Sequence, residues 1–477
     1  MGCCGSKAVA NIIDFSAEVN LSHFEEISAL GSGAFGTVKL VKHLGTGKQY
    51  ALKYIDKREC ILKKAMEYVI EERNMLEYIQ CPFVCNLRYA FQNDEALFMA
   101  LDLKTGGDLR FALEAGTIGG FTPGQIEVEI TKPKRPTLAE DVVKFMIAEV
   151  CLGVAYLHSK NVVHRDLKPE NVMLDDKGHC SLVDFNVATY FDSTPLRAKA
   201  GTLPYMAPEV ISKDPNGYNE TVDWWSVGVI TFELLFGKRP FRAPTSEELE
   251  VAIVSKDLLI PKEPSISKAC IEILRGLLTK SSSKRLGSQE TGGNVKIMEH
   301  AWFAGYNWTE MEKLEGNPVF VPEANKRNVN PLADLDDLQE LVEASRHTKE
   351  EIAKFVLDHQ IEYQSMKLHY RTYDFSKPRD VSRGEGEGTD LWDKRNDASG
   401  VEFEPDQEIS MICSHISNIS DTSDQVGSKS RKSVQLEHSP FSKSVKGLNR
   451  SQTSMTSSRS FDVKRTASSS FLRIPHG

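Results

Sequence analysis

The 477-residue chain contains no run of eighteen apolar residues, so no transmembrane helix is expected. No secretory leader is expected. Its nine cysteines keep no metal-ligand spacing, which removes a structural zinc site and leaves them as reduced intracellular thiols. The loop pattern D-x-D-x-D-G is missing, which disfavours direct calcium control. Beyond about Lys377 aromatic residues become scarce, Ser, Thr and charge dominate, and no hydrophobic period survives. Such a segment buries too little apolar surface to offset its ordering entropy and is expected to be disordered.

What remains is ample for folding. A hydrophobic content of 40% supports a substantial core, and the length suits either two to four domains or one larger unit with disordered flanks. Charge is unevenly spread. From Lys429 onward ten Lys/Arg face two acids, a tail of +8, while the other 48 basic and 65 acidic side chains leave the body at −17. A basic arm on an acidic body points to an anionic surface as partner, or simply to a soluble tail. No nucleic-acid partner is expected.

Met1-Gly2-Cys3-Cys4-Gly5-Ser6 fits the M-G-x-x-x-[ST] pattern for myristoylation of Gly2. One myristoyl chain binds membranes only marginally, so stable anchoring needs a second signal. Cys3 and Cys4 stand where reversible palmitoylation would supply it. The expected location is the cytoplasmic face of a membrane, with a cytosolic pool. The bland alternative is a chance match to a short motif.

The centre of the chain carries the chemistry. His164-Arg165-Asp166-Leu167-Lys168-Pro169-Glu170-Asn171 is followed by Asp184-Phe185-Asn186. Phosphoryl transfer asks a protein to place a hydroxyl in line, hold metal ions and neutralise charge. Asp166 suits the hydroxyl proton, Lys168 the transferring phosphate, and Asn171 with Asp184 the metal. An H-R-D triplet alone is noise, but the full run with its D-F-x partner is not. The reading is a protein kinase using ATP and Mg2+, with Mn2+ as an alternative ion.

Upstream, Gly31-Ser32-Gly33-Ala34-Phe35-Gly36-Thr37-Val38 lies between β-prone runs and continues as a strand. A dinucleotide-binding turn would open a helix instead. A glycine-rich loop over ATP phosphates is therefore expected, with Gly31, Gly33, Ala34, Phe35, Gly36 and Val38 against the nucleotide. Lys53 in Tyr50-Ala51-Leu52-Lys53 is the candidate for the α- and β-phosphates. Its partner should be a glutamate on the next helix. Glu71 and Glu72 differ by about 100° and cannot share a face. Glu72 stands four residues before Leu76 on the inward face, and Glu71 is left as a solvated charge.

With these motifs in place, residues 24 to about 303 resemble a eukaryotic protein kinase of the AGC group, and more narrowly the YANK family. Asp184-Phe185-Asn186, Gly106-Gly107-Asp108-Leu109-Arg110 and Trp224-Trp225 carry the narrower likeness. The resemblance implies an α+β, two-lobed kinase fold with a small β-rich lobe and a larger helical one. Together with the amino-terminal motif and the tail's composition, four segments are expected: 1–23 as a lipid-anchored lead, 24–303 as the kinase domain, 304–376 as an AGC-like extension, and 377–477 as a disordered Ser/Thr-rich basic tail. Residues 116–136, rich in Gly and Pro, read as an inserted surface loop. A monomer acting on protein substrates is expected.

By the same resemblance Leu101 is the gatekeeper, and backbone groups of Asp102 and Leu103 meet adenine. Gly201-Thr202, with Lys168, indicates serine/threonine specificity, Thr202 lying at the substrate. Asp223 braces the catalytic loop and Arg285 pairs with Glu209. By matched position Asp108, Glu170 and Glu233 resemble carboxylates that receive substrate arginines, which implies a preference for basic peptides. Asn186 stands where a glycine is usual, and asparagine tolerates the positive φ that such a place favours.

Ala198 occupies the usual place of an activating threonine, so Arg165 lacks a phosphate partner there. Tyr370-Arg371-Thr372-Tyr373-Asp374-Phe375 resembles the motif that AGC tails dock on the small lobe, with Asp374 as fixed charge in place of a phosphate. Ser433 and Ser468 have basic neighbours and are candidate phosphosites, and phosphate there would cancel the tail's charge. The rival reading is a catalytically silent, membrane-tethered scaffold, favoured by Asn186 and the missing threonine.

Overall fold

A computed structural model of the chain describes residues 13–33, 36–115, 137–263, 265–322 and 349–377. Gly2, Cys3, Cys4, Ala34, Phe35, the 116–136 insertion, Ser433 and Ser468 lie outside the described residues.

The amino-terminal part is an antiparallel sheet built from β1 (Phe24–Gly33), β2 (Gly36–His43), β3 (Gln49–Asp56), β4 (Leu87–Gln92) and β5 (Ala96–Asp102). Between β3 and β4 run helices α1 (Lys57–Leu62) and α2 (Met66–Tyr78). β3 is buried along nearly its whole length rather than alternately, because both faces of the sheet are covered. One face packs on α2 through Val69, Ile70, Met75 and Leu76. The other carries a separate aromatic core in which Phe24 stacks on Phe91 at 5.6 Å and Phe91 on Phe98 at 4.8 Å.

The larger part is helical: α3 (Leu109–Ala115), α4 (Glu140–Ser159), α5 (Pro208–Ile211), α6 (Thr221–Phe236), α7 (Ser246–Ser255), α8 (Lys268–Leu277), α9 (Gly293–Met298) and α10 (Trp308–Glu312). Short strand pairs β6 (Val162–Val163) with β9 (Thr189–Tyr190), and β7 (Val172–Leu174) with β8 (Cys180–Leu182), carry the loops of the site. α6 is buried on every side, as an apolar helix at the centre of a bundle must be. α4 is the one described helix long and apolar enough to cross a membrane, a feature that a search for continuous apolar runs passes over. Within the fold it is a core helix, with 72% of its apolar window buried.

Arg285 donates to both oxygens of Glu209 at 2.6 and 2.8 Å, with the guanidinium fully buried, so this pair ties the loop after α8 to the start of α5. Breaking such a pair from one side costs about 3–5 kcal/mol. The six described cysteines are free and buried, and burial pushes their thiols up, to about 12 for Cys60 and Cys85.

The tail returns to the small lobe through α11 (Lys349–Asp358), α12 (Gln360–His369) and β10 (Tyr373–Asp374). β10 pairs antiparallel with β4, Tyr373 opposite Ala90, and becomes the sixth strand at the sheet edge. Tyr370 is 1% exposed, and its hydroxyl donates to the Phe98 carbonyl at 2.9 Å. Asp374 carries its charge at the sheet edge and does not itself reach α2. Its carboxylate turns back to accept from the Ser376 amide and hydroxyl, with Lys377 at 3.8 Å. The reach to α2 is made by the tail's backbone, where Arg73 donates to the Arg371 carbonyl at 3.0 Å. Because Arg73 follows Glu72 directly, tail docking fixes the helix that bears the glutamate. Tyr370→Ala, which removes a fully buried ring, should lower kcat/KM about tenfold or more and reduce stability by about 3–5 kcal/mol. Tyr370→Phe should lose far less of both, and steady-state kinetics with denaturant unfolding check the pair.

Candidate active site

The catalytic loop between β6 and β7 is shaped by one carboxylate on α6. Asp223, fully buried, accepts from His158 Nε2 and from the main-chain amides of His164 and Arg165, each at 2.9 Å. Burial works to raise its pKa, but these donors hold it below the ordinary carboxylate range. The two amide bonds secure Arg165 at φ +65°, a left-handed conformation costly for a side chain of that size. Gly201 (φ +105°) lies against this turn, where an added Cβ would sit 2.2 Å from the Arg165 carbonyl. The activation segment thus meets the catalytic loop backbone to backbone.

Asp166, Lys168 and Thr202 form a closed triangle. Thr202 donates its hydroxyl to Asp166 Oδ1 at 2.6 Å, Lys168 Nζ donates to Thr202 Oγ1 at 3.0 Å, and Lys168 Nζ lies 3.1 Å from Asp166 Oδ2. Burial would lower the Lys168 ammonium, but Asp166, Glu170 and Asp184 outweigh it and keep the lysine charged. A hydroxyl entering this triangle meets an acceptor carboxylate beside a fixed cation.

Asn171 donates its amide to the Asp166 carbonyl at 2.8 Å and to Oδ2 at 3.2 Å. Asp184 is also left-handed, at φ +66°, and its Oδ1 is buried without a partner. An unsatisfied buried carboxylate oxygen costs free energy that a cation would recover, so the pair suits a divalent ion. No cluster of three or more His, Cys, Asp or Glu among the described residues makes a metal cage. An ion held here would need further ligands besides these two side chains, from water or a bound substrate.

Lys53 on β3 donates to both oxygens of Glu72 on α2, at 2.8 and 2.7 Å, and the pair is buried. Burial raises the Glu72 carboxyl against the pull of Lys53. Lys53 Nζ also donates to Asn186 Oδ1 at 2.9 Å. This corrects the reading of Asn186, which is not among the residues with positive φ. The left-handed residue of the triplet is Asp184, and asparagine adds an acceptor on the phosphate-seeking lysine.

Gly31, Gly33 and Gly36 frame the tip of the β1–β2 hairpin, with Gly33 opposite Gly36. Gly36 has a packing reason of its own, since a Cβ there would stand 2.0 Å from the Tyr54 carbonyl. Val38 is buried one turn of pleat further on. Leu101 lines a small cavity with Glu72, Leu76, Cys85, Val183, Asp184 and Phe185. The reading of Asp102 is narrowed: its amide is taken by the Asn86 carbonyl at 3.0 Å, and its carboxylate by Arg88 at 2.6 and 2.8 Å. Its carbonyl accepts the Cys85 thiol at 3.2 Å. Leu103 follows just past the strand end.

The three acids assigned to substrate arginines are already engaged. Asp108 is fully buried, and its Oδ1 accepts the Phe111 amide at the start of α3. Arg110 donates Nε to Glu170 at 2.9 Å and Nη1 to Glu233 at 3.0 Å. The carboxylates read by matched position as receivers of substrate arginines thus already have partners within the chain. Arg165, without a phosphate partner, donates instead to the Val187 carbonyl at 2.6 Å and the Tyr218 hydroxyl at 3.3 Å. Tyr218 in turn donates to the Ala198 carbonyl at 2.5 Å, which links Arg165 to the segment where the missing threonine would stand. Neither Arg110 nor Tyr218 carried a local sequence signal for these roles.

A two-lobed fold with a lysine–glutamate pair, a loop carboxylate beside a lysine, and a metal-seeking aspartate defines a phosphotransferase of the protein kinase class. Residues 24–303 match the protein kinase domain family, and the chain belongs to that family. Its relatives are serine/threonine kinases. It is 36% identical over 335 residues to a probable serine/threonine-protein kinase of Dictyostelium discoideum, covering 70% of this chain and 67% of that one. It is 35% identical over 345 residues to serine/threonine-protein kinase 32C of Homo sapiens, 71% of this chain and 66% of that one. It is 35% identical over 320 residues to cAMP-dependent protein kinase type 3 of Saccharomyces cerevisiae, 67% and 73% respectively. The chain thus spans about two thirds of the length of these relatives, and the set agrees with the AGC-group and YANK-family resemblance.

Proposed function

We propose that the protein transfers the γ-phosphoryl group of ATP to serine or threonine hydroxyls of protein substrates while tethered to a membrane through its amino terminus. The observation that carries the first part is the Asp166–Thr202–Lys168 triangle facing an aspartate with an unsatisfied oxygen. In this reading Asp166 orients the acceptor hydroxyl and takes its proton, and Lys168 holds charge beside the transferring group. Asp184 and Asn171 would hold Mg2+, which would supply neutralisation of phosphate charge. Lys53, steadied by Glu72, takes the α- and β-phosphates. Asn186 competes for Lys53 until nucleotide arrives.

The engagement of Arg165 by Val187 and Tyr218 supports activity without phosphorylation of the activation segment. Tethering rests on the Gly2-Cys3-Cys4 motif, with the +8 tail adding attraction to an anionic leaflet. Phosphate at Ser433 or Ser468 would weaken that attraction.

Incorporation of phosphate from ATP into serine peptides should fall by about 10²–10⁴ in Asp166→Asn. Equal, negligible incorporation by both proteins, with ATP still raising the melting temperature, would move the reading to a silent scaffold. For the tether, the full chain co-expressed with an N-myristoyltransferase should float with vesicles containing anionic lipid, and Gly2→Ala should not. Equal flotation of the two proteins would sink the lipid-anchor proposal.

A further inference from the structure

Arg110 is the residue the kinase reading leaves without a task. It lies on α3, and its guanidinium is held in a half-buried nest of groups from three distant parts of the chain. Nε donates to Glu170 Oε1 at 2.9 Å, Nη1 to Glu233 Oε1 at 3.0 Å, and Nη2 to the Tyr205 hydroxyl at 2.7 Å and Glu233 Oε2 at 3.3 Å. The Tyr205 hydroxyl donates onward to Glu233 Oε2 at 2.5 Å. Every nitrogen of the fork is used.

The nest adjoins the chemistry. Glu170 stands two residues after Lys168, and Tyr205 three after Thr202, both members of the catalytic triangle. The Glu170 and Lys168 charges act on each other directly. A peptide that places its hydroxyl at Asp166 must therefore run close to these carboxylates. Two fixed negative charges and a phenol at that place form a socket for a guanidinium. Glu170 keeps a second oxygen, Oε2, buried and without a partner. The guanidinium in the socket belongs to the enzyme.

We infer that Arg110 is a built-in occupant of the subsite that would otherwise hold a substrate arginine, and so determines which peptides the kinase accepts. The inference rests on the kinase reading. A tethered group competes at an effective concentration of ~mM or more, against which a substrate side chain present at micromolar level has little purchase. With the socket full, one positive charge offsets one of the two negative ones, and every nitrogen of the guanidinium is engaged. The selective pull for arginine that three open acids would exert is thereby removed. The enzyme is left to choose peptides by contacts other than arginine. Removing the guanidinium should expose the socket and turn the protein into an arginine-selective kinase.

The test uses the full chain and a set of serine-centred peptides with one arginine placed in turn at each position on either side. For wild type, kcat/KM with arginine should stay within about threefold of the alanine peptide at every position. In Arg110→Ala, and in Arg110→Met, which keeps the apolar stem packed, one position should gain about tenfold or more, the worth of one charge-assisted pair. Millimolar guanidinium should erase that gain by refilling the socket.

A wild-type preference for arginine of about tenfold or more would overturn the inference whatever the variants do. So would variants that turn over peptides with the wild-type profile, since a purely structural Arg110 would lower melting temperature and leave selectivity alone. Should the variants not fold, the wild-type profile still decides. Absence of incorporation by wild type into every peptide, with Asp166→Asn no different, would instead remove the kinase reading and this inference with it.

Discussion

Asp223 is a carboxylate with no access to water, and the geometry of the catalytic loop depends on it. Its two oxygens take the consecutive amides of His164 and Arg165 and the ring of His158. A buried ionised group is tolerated only when donors surround it, and here the donors are the loop that must be shaped. The left-handed turn at Arg165 follows from that constraint. The placement of Asp166 follows from the turn. Gly201 then brings Thr202 to Asp166 and Lys168 from the other side.

The small lobe is set by a second chain of contacts. Lys53 is positioned by β3 and can point usefully only when Glu72 on α2 meets it. α2 is held through Arg73 by the backbone of the tail, and the tail is held by a buried tyrosine and a strand added to the sheet. Residues some three hundred positions beyond Glu72 thereby bear on the phosphate-binding lysine. On the other side of the site, Arg165 is tied to the Val187 carbonyl and the Tyr218 hydroxyl.

Much of this was legible from local pattern. Glu72 follows from helical geometry, because only one of two adjacent glutamates can face inward. The roles of Asp166, Lys168 and Asp184 follow from a motif whose spacing reflects one loop. Some contacts that join distant segments, such as Asp223 with the catalytic loop and Arg285 with Glu209, came with the family resemblance, but others were not legible. Arg110 meets partners 60 and 123 residues away, and no local spacing announces that its charge is already spent. β10 is two residues long, too short for a period of two to show. Asn186 was misjudged because its backbone was considered and its side chain was not. The local bonds of Asp374 to Ser376 were not foreseen either, although short acidic side chains often bond the next turn of their own chain.

The most direct test of this account is the kcat of Asp223→Asn beside its ATP-induced melting shift. An amide offers one acceptor oxygen where two amides and a histidine need two, so the loop should relax while the nucleotide-holding lobe remains. The account predicts kcat reduced about 10²-fold or more with the ATP shift largely retained. An unchanged kcat would show that the loop holds its geometry without the buried carboxylate, and would contradict the account at its base.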